Sequence, residues 1–253
     1  MNPTTSLNLK DQVALITGAA RRIGRATALA LAEEGAAIVL NARTSGDEIE
    51  AVAGEIRAMG GRAMTCLADI TDEDAVQDMV DAVVKEFGRI DILINNAGIR
   101  RQAAFTEMSL SEWREILAVI LDGTFLCSRA VIPVMIKGGG GAIVNIGGVT
   151  AHIGAMQRAH VSTGKAGLIG LTKALAVEFA NEGITVNCIA PGKIGGKRSA
   201  SSGESPLAGG VSIPVGREGK VEEVAAMIKA VCLPTGKFMT GQTIHVSGGL
   251  YMP

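Results

Sequence analysis

Short apolar runs alternate with longer amphipathic segments along the whole chain. Seven runs have the length of strands, and their near-continuous hydrophobicity is typical of parallel strands covered on both faces. They occupy residues 13–16, 37–40, 63–67, 90–94, 142–146, 184–189 and 243–246. Helical patterns fill the intervals at residues 22–34, 46–59, 73–87, 109–137, 155–181 and 220–233. This alternation predicts an α/β fold with a doubly wound, mostly parallel, seven-stranded sheet that binds ligands at the carboxyl ends of its strands.

Composition changes this picture little. The chain has 253 residues, of which 47% are hydrophobic and 19% charged, and this suits one large globular domain over residues 1–253. The formal net charge is −1, so no electrostatic argument favours a nucleic acid or an anionic membrane as partner. We therefore expect a small-molecule substrate.

Two further features bear on the cellular compartment. No uninterrupted apolar run approaches the ~18 residues of a membrane span, and the first residues are polar, unlike a secretory signal. The four cysteines are widely spaced in apolar contexts, without a C-x-x-C pair. This usage favours buried, reduced thiols over a metal site or disulfides. We expect a cytoplasmic protein that binds no metal.

A glycine-containing turn follows the first predicted strand and opens the first predicted helix, in the sequence TGAARRIG at residues 17–24. Gly18 allows the tight turn, and Gly24 permits close packing of helix against strand. The helix N-terminus offers N–H groups and a positive dipole to a pyrophosphate. Arg22 occupies the position at which such a turn usually has its middle glycine. The context of strand, turn and helix predicts a dinucleotide site in a Rossmann-type fold.

The end of the second strand indicates which dinucleotide is bound. Enzymes that use NAD place an acidic residue there, about 20 residues past the glycines, to bind the ribose hydroxyls. Here Ala42 takes the acidic position and Arg43 follows it. Arg43, with Arg22 and Arg21, could clasp a 2′-phosphate bidentately, although solvated surface charges would look the same. The pattern favours NADP(H) over NAD(H).

An ordered set of motifs resembles the short-chain dehydrogenase/reductase family, and in particular its 3-oxoacyl-acyl-carrier-protein-reductase-like members. The motifs are NNAG at 95–98, the segment 148–165, PGKI at 191–194, TGQ at 240–242 and SGG at 247–249. The resemblance implies that Asp69 and Ile70 border the adenine, and that NNAG and PGKI line the cofactor. The candidate cofactor-binding residues are therefore Gly18, Arg21, Arg22, Ile23, Gly24, Arg43, Asp69, Ile70, Asn96, Ala97, Gly98, Lys165, Pro191, Gly192 and Ile194.

The same resemblance implies a catalytic asparagine, serine, tyrosine and lysine. The corresponding positions hold Ile120, Gly148, Val161 and Lys165, so only the lysine is retained. In the family the tyrosine is the general acid/base, and the lysine lowers its pKa and holds the cofactor ribose. Losing general acid catalysis typically costs ~100–10,000-fold in rate. We therefore expect an atypical active site.

Three residues could substitute for the missing acid/base. Lys165 is the first candidate if burial lowers its pKa. His152, in the loop after the fifth strand, and His160, next to the tyrosine position, are the others, although a structural role is the favoured interpretation for each of them; a bound water is a further alternative. Analogy of fold favours an NADP(H)-dependent oxidoreductase of a small carbonyl or alcohol. The missing catalytic residues argue for the two alternatives, a non-redox lyase or isomerase on the same scaffold and a catalytically silent NADP-binding protein.

The family also suggests how the chain meets its substrate and its copies. Arg100, Arg101 and Arg158 fall at positions that border the substrate, where they could hold an acidic group or be solvated or intersubunit charges. The segment 193–219 is long and rich in glycine, serine and lysine, as in functional or disordered loops, and corresponds to the family's mobile substrate lid. The helices at 109–137 and 155–181 are those that the family pairs in dimers and tetramers, so we expect a homotetramer or homodimer.

Overall fold

The computed structural model describes residues 8–196 and 212–253. Its seven strands form one sheet in the order β3-β2-β1-β4-β5-β6-β7, and every neighbouring pair is parallel. The strands are β1 Val13–Ile16, β2 Ala37–Ala42, β3 Ala63–Leu67, β4 Ile92–Asn95, β5 Gly141–Ile146, β6 Ile184–Pro191 and β7 Thr243–Val246. The order reverses between β1 and β4, which creates a crevice at their carboxyl ends. The predicted doubly wound, Rossmann-type single domain is confirmed.

Helices connect the strands. They are α1 Arg22–Ala32, α2 Gly46–Ala58, α3 Glu73–Phe87, α4 Leu110–Leu117, α5 Gly123–Lys137, α6 Thr150–Ile153, α7 Ala159–Phe179 and α8 Val221–Cys232. The helix predicted at 109–137 is interrupted by a π-helical turn, Ala118–Asp122, between α4 and α5. The helix predicted at 155–181 begins only at Ala159, because Gln157 has a φ of 57° and cannot be part of a right-handed helix.

Two apolar layers cover the sheet. Alternate strand residues such as Ile16 and Leu40 pack with α1, α2 and α8, whereas Leu15 and Val39 pack with α3 and α5 on the other face. Burial on both faces explains why the strands are hydrophobic almost without interruption.

The helical stretch Leu110–Lys137 is long and apolar enough, by length and composition, to cross a membrane. Half of its most apolar window is buried inside the fold, and core helices of soluble proteins pass the same test. The helix is therefore weak evidence for a membrane span. Polar residues interrupt this stretch, so it does not contain an uninterrupted apolar run of the length of a membrane span.

Most of the predicted lid, residues 197–211, lies outside the described residues. The flanking residues meet in a parallel bridge between Ile194 and Gly219. The Gly195 N–H donates to the Gly219 carbonyl at 2.8 Å, and the Gly219 N–H donates to the Lys193 carbonyl at 3.0 Å. The two described ends of the segment thus lie together beside the carboxyl end of β6.

Candidate functional site

The turn between β1 and α1 packs so closely that two of its positions require glycine. Gly18 has a φ of 63°, and a Cβ on it would lie 2.9 Å from the Ala97 Cα. A Cβ on Gly24 would lie 2.4 Å from the Gly18 carbonyl oxygen. The Asn96 side-chain amide donates to the Thr17 and Gly18 carbonyls at 2.9 Å each. The end of β4 therefore fixes the turn against the N-terminus of α1.

Arg22 departs from the usual geometry of such a turn. Its φ of 52° lies in the left-handed region, which costs a non-glycine residue energy because Cβ approaches the backbone. Its guanidinium Nη2 donates to the Ile194 carbonyl at 3.2 Å. Arg22 thereby connects the turn to the loop after β6.

A cavity of about 370 Å³ opens at the switch between β1 and β4. Among its lining residues are ten of the predicted cofactor-binding residues: Gly18, Arg21, Arg22, Ile23, Arg43, Asp69, Ile70, Asn96, Ala97 and Gly98. Gly24 lies behind the turn and serves packing. The glycine geometry at the N-terminus of an eleven-residue helix fits a dinucleotide pyrophosphate.

Arginine side chains surround the outer end of this cavity. Arg43 Nη1 lies 3.7 Å from the Asp69 carboxylate, and both side chains are substantially exposed. Arg21 Nη2 lies 3.3 Å from the Ser45 hydroxyl and 3.4 Å from Glu48. Burial raises the pKa of Asp69, but hydrogen bonds from Thr71 and the nearby Arg43 outweigh it and leave that pKa below its ordinary value. A 2′-phosphate at this end would share Arg43 with Asp69.

A second, smaller cavity of about 80 Å³ shares the lining residues Arg22, Ile23 and Arg100 with the first. It brings together Gly148, Val161 and Lys165, the positions that the resemblance assigns to the catalytic serine, tyrosine and lysine. Pro191, Gly192 and Ile194, which the family resemblance places along the cofactor, also line it.

The position assigned to the catalytic asparagine belongs to a small apolar cluster. Ile120 is buried in the π-helical turn and packs with Ile116, Val161 and Leu168. Gly164 faces it, and a Cβ there would come within 3.0 Å of Ile120. Two of the three replaced positions, Ile120 and Val161, thus supply packed apolar side chains, and the third, Gly148, supplies none.

Lys165 is buried in α7, and its ammonium donates a hydrogen bond to the Ile146 carbonyl. Burial, and after it the positive charge of Arg100, lower the pKa of Lys165 to about 8 against an opposing contribution from Cys188. A group with this pKa can exchange a proton near neutral pH. The predicted acid/base candidate therefore has suitable chemistry and position.

The structure does not bring the two candidate histidines to this cavity. His152 Nε2 lies 3.1 Å from His245 Nε2, and its ring stacks on Tyr251. His160 is fully buried, with its Nε2 3.7 Å from Glu112 Oε1. Burial lowers the pKa of each and favours the neutral ring. Neither ring is among the described residues that line the cavity, and both contacts suit structural roles.

The three arginines left open by the sequence are separated by the structure. Arg100 and Arg158 line the second cavity, whereas Arg101 pairs with Glu115 at 2.8 Å. Arg158 precedes α7 directly and is 4% exposed. The sequence identified all three arginines as candidates, but only the tertiary structure shows which two line the same cavity as Lys165.

Comparison with known proteins agrees with this geometry. Residues 18–251 match the family model described as enoyl-(acyl carrier protein) reductase. The chain is 41% identical over 245 residues to a 3-oxoacyl-[acyl-carrier-protein] reductase of Synechocystis, covering 96% of this chain and 98% of that protein. It is 41% identical over 240 residues to the FabG reductase of Staphylococcus aureus, covering 94% and 98%.

Solved structures give the same result. A short-chain type dehydrogenase/reductase from Mycobacterium marinum aligns with a TM-score of 0.89 and 37% identity, covering 98% of each chain. A blue fluorescent protein from a metagenomic library, in complex with NADPH, aligns with a TM-score of 0.89 and 29% identity, covering 97% of this chain and all of that one. The chain therefore belongs to the short-chain dehydrogenase/reductase family, with 3-oxoacyl-acyl-carrier-protein reductases among its relatives.

Proposed function

We propose that this protein is an NADP(H)-dependent oxidoreductase of a small carbonyl compound or alcohol, in which Lys165 replaces the family tyrosine as acid/base. The observation that carries the proposal is the buried Lys165 ammonium, with a pKa lowered to about 8, in a cavity that shares three lining residues with the dinucleotide cleft. A general acid works best when its pKa lies near the working pH.

The cofactor, when bound, supplies or accepts the hydride. The glycine turn and the N-terminus of α1 would hold its pyrophosphate, and Arg43 with Arg21 its 2′-phosphate. In reduction, Lys165 donates a proton from Nζ to the carbonyl oxygen and regains one from solvent; in oxidation, neutral Nζ accepts the hydroxyl proton. Gly148 offers no hydroxyl to the developing oxyanion, so neutral ketones should react slowly.

The preference for NADP(H) has separate support. Ala42 has no carboxylate to accept ribose hydroxyls or to repel a 2′-phosphate. Arg43 lies at the same rim of the cavity as Arg21 and Ser45. The relative solved with NADPH is consistent with this choice.

NADPH oxidation over a panel of small carbonyl compounds tests the acid/base role. At saturating NADPH, Lys165→Met should lower kcat by ~100-fold or more. Lys173→Met is the matched control, because Lys173 lies on the same helix but is exposed. Turnover that survives Lys165→Met would reject the role, and NADPH binding without any turnover would favour a catalytically silent nucleotide-binding protein.

A non-redox lyase is the second candidate, and one observation favours it. A buried lysine beside a cation is partly neutral and can attack a carbonyl carbon, with loss of water, to form an imine. Borohydride added with a carbonyl substrate would then fix the substrate's mass on Lys165, and Lys165→Met would abolish the adduct. No adduct on the wild-type protein would exclude this route.

We also propose that the protein is a cytoplasmic homotetramer or homodimer without nucleic-acid or membrane partners. Four free cysteines support a reducing compartment. Exposed apolar side chains on α4, α5 and α7, namely Leu110, Phe125 and Val177, support self-association through these helices. Light scattering at micromolar concentration tests assembly, and a monomer would contradict it.

A further inference from the structure

We infer that the substrate is a small oxo acid or hydroxy acid whose carboxylate is bound by Arg100 and Arg158. This inference rests on the proposed function for its reaction but on a separate set of side chains for its recognition. Three observations support it. They are the cations that line the second cavity, the electrostatic repulsion between Arg100 and Lys165, and the backbone geometry that positions Arg158.

Cationic side chains dominate the polar lining of the second cavity. They are Arg22, Arg100, Arg158, Lys165 and Lys193, and none of the described lining residues is acidic. Lys193 pairs with Glu218 at 2.9 Å outside the lining, and Arg22 reaches the Ile194 carbonyl. Arg100 and Arg158 lie outside the predicted cofactor motifs and line the cavity together with Val161 and Lys165.

Arg100 and Lys165 interact unfavourably with one another. After burial, the charge of Arg100 contributes to the lowered pKa of Lys165, so the guanidinium disfavours the protonated form of Lys165. An anion between them would relieve this repulsion and strengthen both contacts in a partly buried cavity. A carboxylate ligand is the simplest group that has the required charge and matches the planar fork of a guanidinium.

Arg158 is held in place by strained backbone. The residue before it, Gln157, has a φ of 57°, and the Ala103 N–H donates to the Gln157 carbonyl at 3.0 Å. Strain of this kind persists where surrounding structure enforces it, and it is concentrated at ligand-binding sites. Arg158 is buried at the start of the 21-residue helix α7, where the helix dipole adds to the positive potential.

The apolar wall of the cavity leaves recognition to these cations. Gly148, Val149 and Val161 offer no side-chain hydroxyl to the substrate. A neutral ketone would find apolar contact, the Thr150 hydroxyl and one ammonium, whereas an oxo acid would also be held by two guanidinium groups. The protein would thus retain the carbonyl chemistry of the family, and its substrate specificity would depend on the negative charge of the substrate carboxylate.

The test compares pyruvate, acetoacetate and 4-oxopentanoate with their methyl esters as NADPH-dependent substrates of the full-length protein. We expect at least one acid to exceed its ester in kcat/KM by about tenfold or more, the range of a charge-assisted contact. Arg100→Gln and Arg158→Lys should each remove most of this preference. Arg101→Gln, on the neighbouring residue that pairs with Glu115, should preserve it.

Turnover is measured at the pH optimum of each variant, because loss of the Arg100 charge also raises the pKa of Lys165. Arg100 is exposed, so Arg100→Gln carries the test if a change at buried Arg158 disturbs folding. Equal or greater kcat/KM for every ester, or preference unchanged in Arg100→Gln, would overturn the inference.

A binding measurement separates this inference from the proposed reaction. If neither acids nor esters are turned over, the redox proposal fails, and calorimetric titration of the NADPH complex with the same acids and esters then decides recognition. Acid binding that is weakened in Arg100→Gln and retained in Arg101→Gln supports a carboxylate site. Binding that does not distinguish acid from ester rejects it.

Discussion

The two ends of the cleft differ in what holds them together. At the cofactor end, a Cβ on Gly18 or Gly24 would collide with neighbouring backbone atoms. The Asn96 side chain connects the turn to the end of β4 through hydrogen bonds to two turn carbonyls. At the catalytic end, Gly148 and Val161 stand where the family resemblance implies side-chain hydroxyl groups. The fold depends on the residues of the cofactor turn, because changing them would displace backbone. It does not depend on the hydroxyl groups that the family has at the catalytic end.

Packing at the catalytic end explains how such replacements are accommodated. Ile120 and Val161 join a buried cluster with Ile116 and Leu168, so apolar contacts take the place of polar ones. Around Gly148, by contrast, an added Cβ would meet only the Thr150 hydroxyl, at 3.7 Å. Gly148 therefore has room for a side chain, whereas Val161 packs against Ile120 but also lines the second cavity, into which a larger side chain could extend.

Restoring the missing hydroxyls should have the largest effect. We expect Gly148→Ser combined with Val161→Tyr to raise NADPH-dependent reduction of neutral ketones by ~100-fold or more, since a general acid and an oxyanion contact are both returned. Lys165 is already placed four residues after the tyrosine to lower its pKa. Gly148→Ser combined with Val161→Phe is the control of matched ring size, and equal rates for the two double variants would contradict the prediction.

Changing the cofactor end should alter selectivity rather than chemistry. Arg43→Ala should weaken NADPH binding by ~10–100-fold, the range expected for charge-assisted hydrogen bonds, and leave NADH binding nearly unchanged. Arg57→Ala is the control, because Arg57 pairs with Glu50 and does not line the cavity. Calorimetric titration measures both cofactors, and NADH binding that equals NADPH binding in the wild type would refute the NADP(H) preference.

The pH dependence should show which group exchanges the proton. Lys165 has a pKa of about 8, below the 10.5 of an ordinary lysine, and reduction requires its protonated form. The rate of reduction should therefore be constant below pH 8 and fall about tenfold per unit above it, whereas oxidation should rise up to that pH. Arg100→Gln should move both breaks to higher pH. Profiles without a break between pH 7 and 10 would exclude Lys165 as the acid/base.

The same contrast between the two ends explains what the sequence could predict. The sheet and the cofactor turn follow from local patterns: apolar runs, glycine spacing, and Arg43 after β2. The role of His152 does not, because its ring contacts His245 and Tyr251 from the far end of the chain. The pKa of Lys165 likewise depends on Arg100, a neighbour in space but not in sequence. The break at Ala118–Asp122 leaves no mark in the periodicity of an otherwise apolar helix.

Arg22 joins the two ends of the cleft, because it lines both cavities, and its replacement should have the smallest effect. Arg22→Gly should relieve a left-handed conformation that costs a non-glycine residue about 1–2 kcal/mol, partly offset by the ~0.5–1 kcal/mol of backbone entropy that glycine loses on folding. We therefore expect urea denaturation to show a gain of roughly 0.5–1 kcal/mol in the free energy of unfolding. Arg21→Gly, at an extended residue with φ of −154°, is the control and should give no gain. A loss in Arg22→Gly would mean that the hydrogen bond from Arg22 to Ile194 outweighs the strain, so that the β6 loop rather than the turn determines the residue at this position.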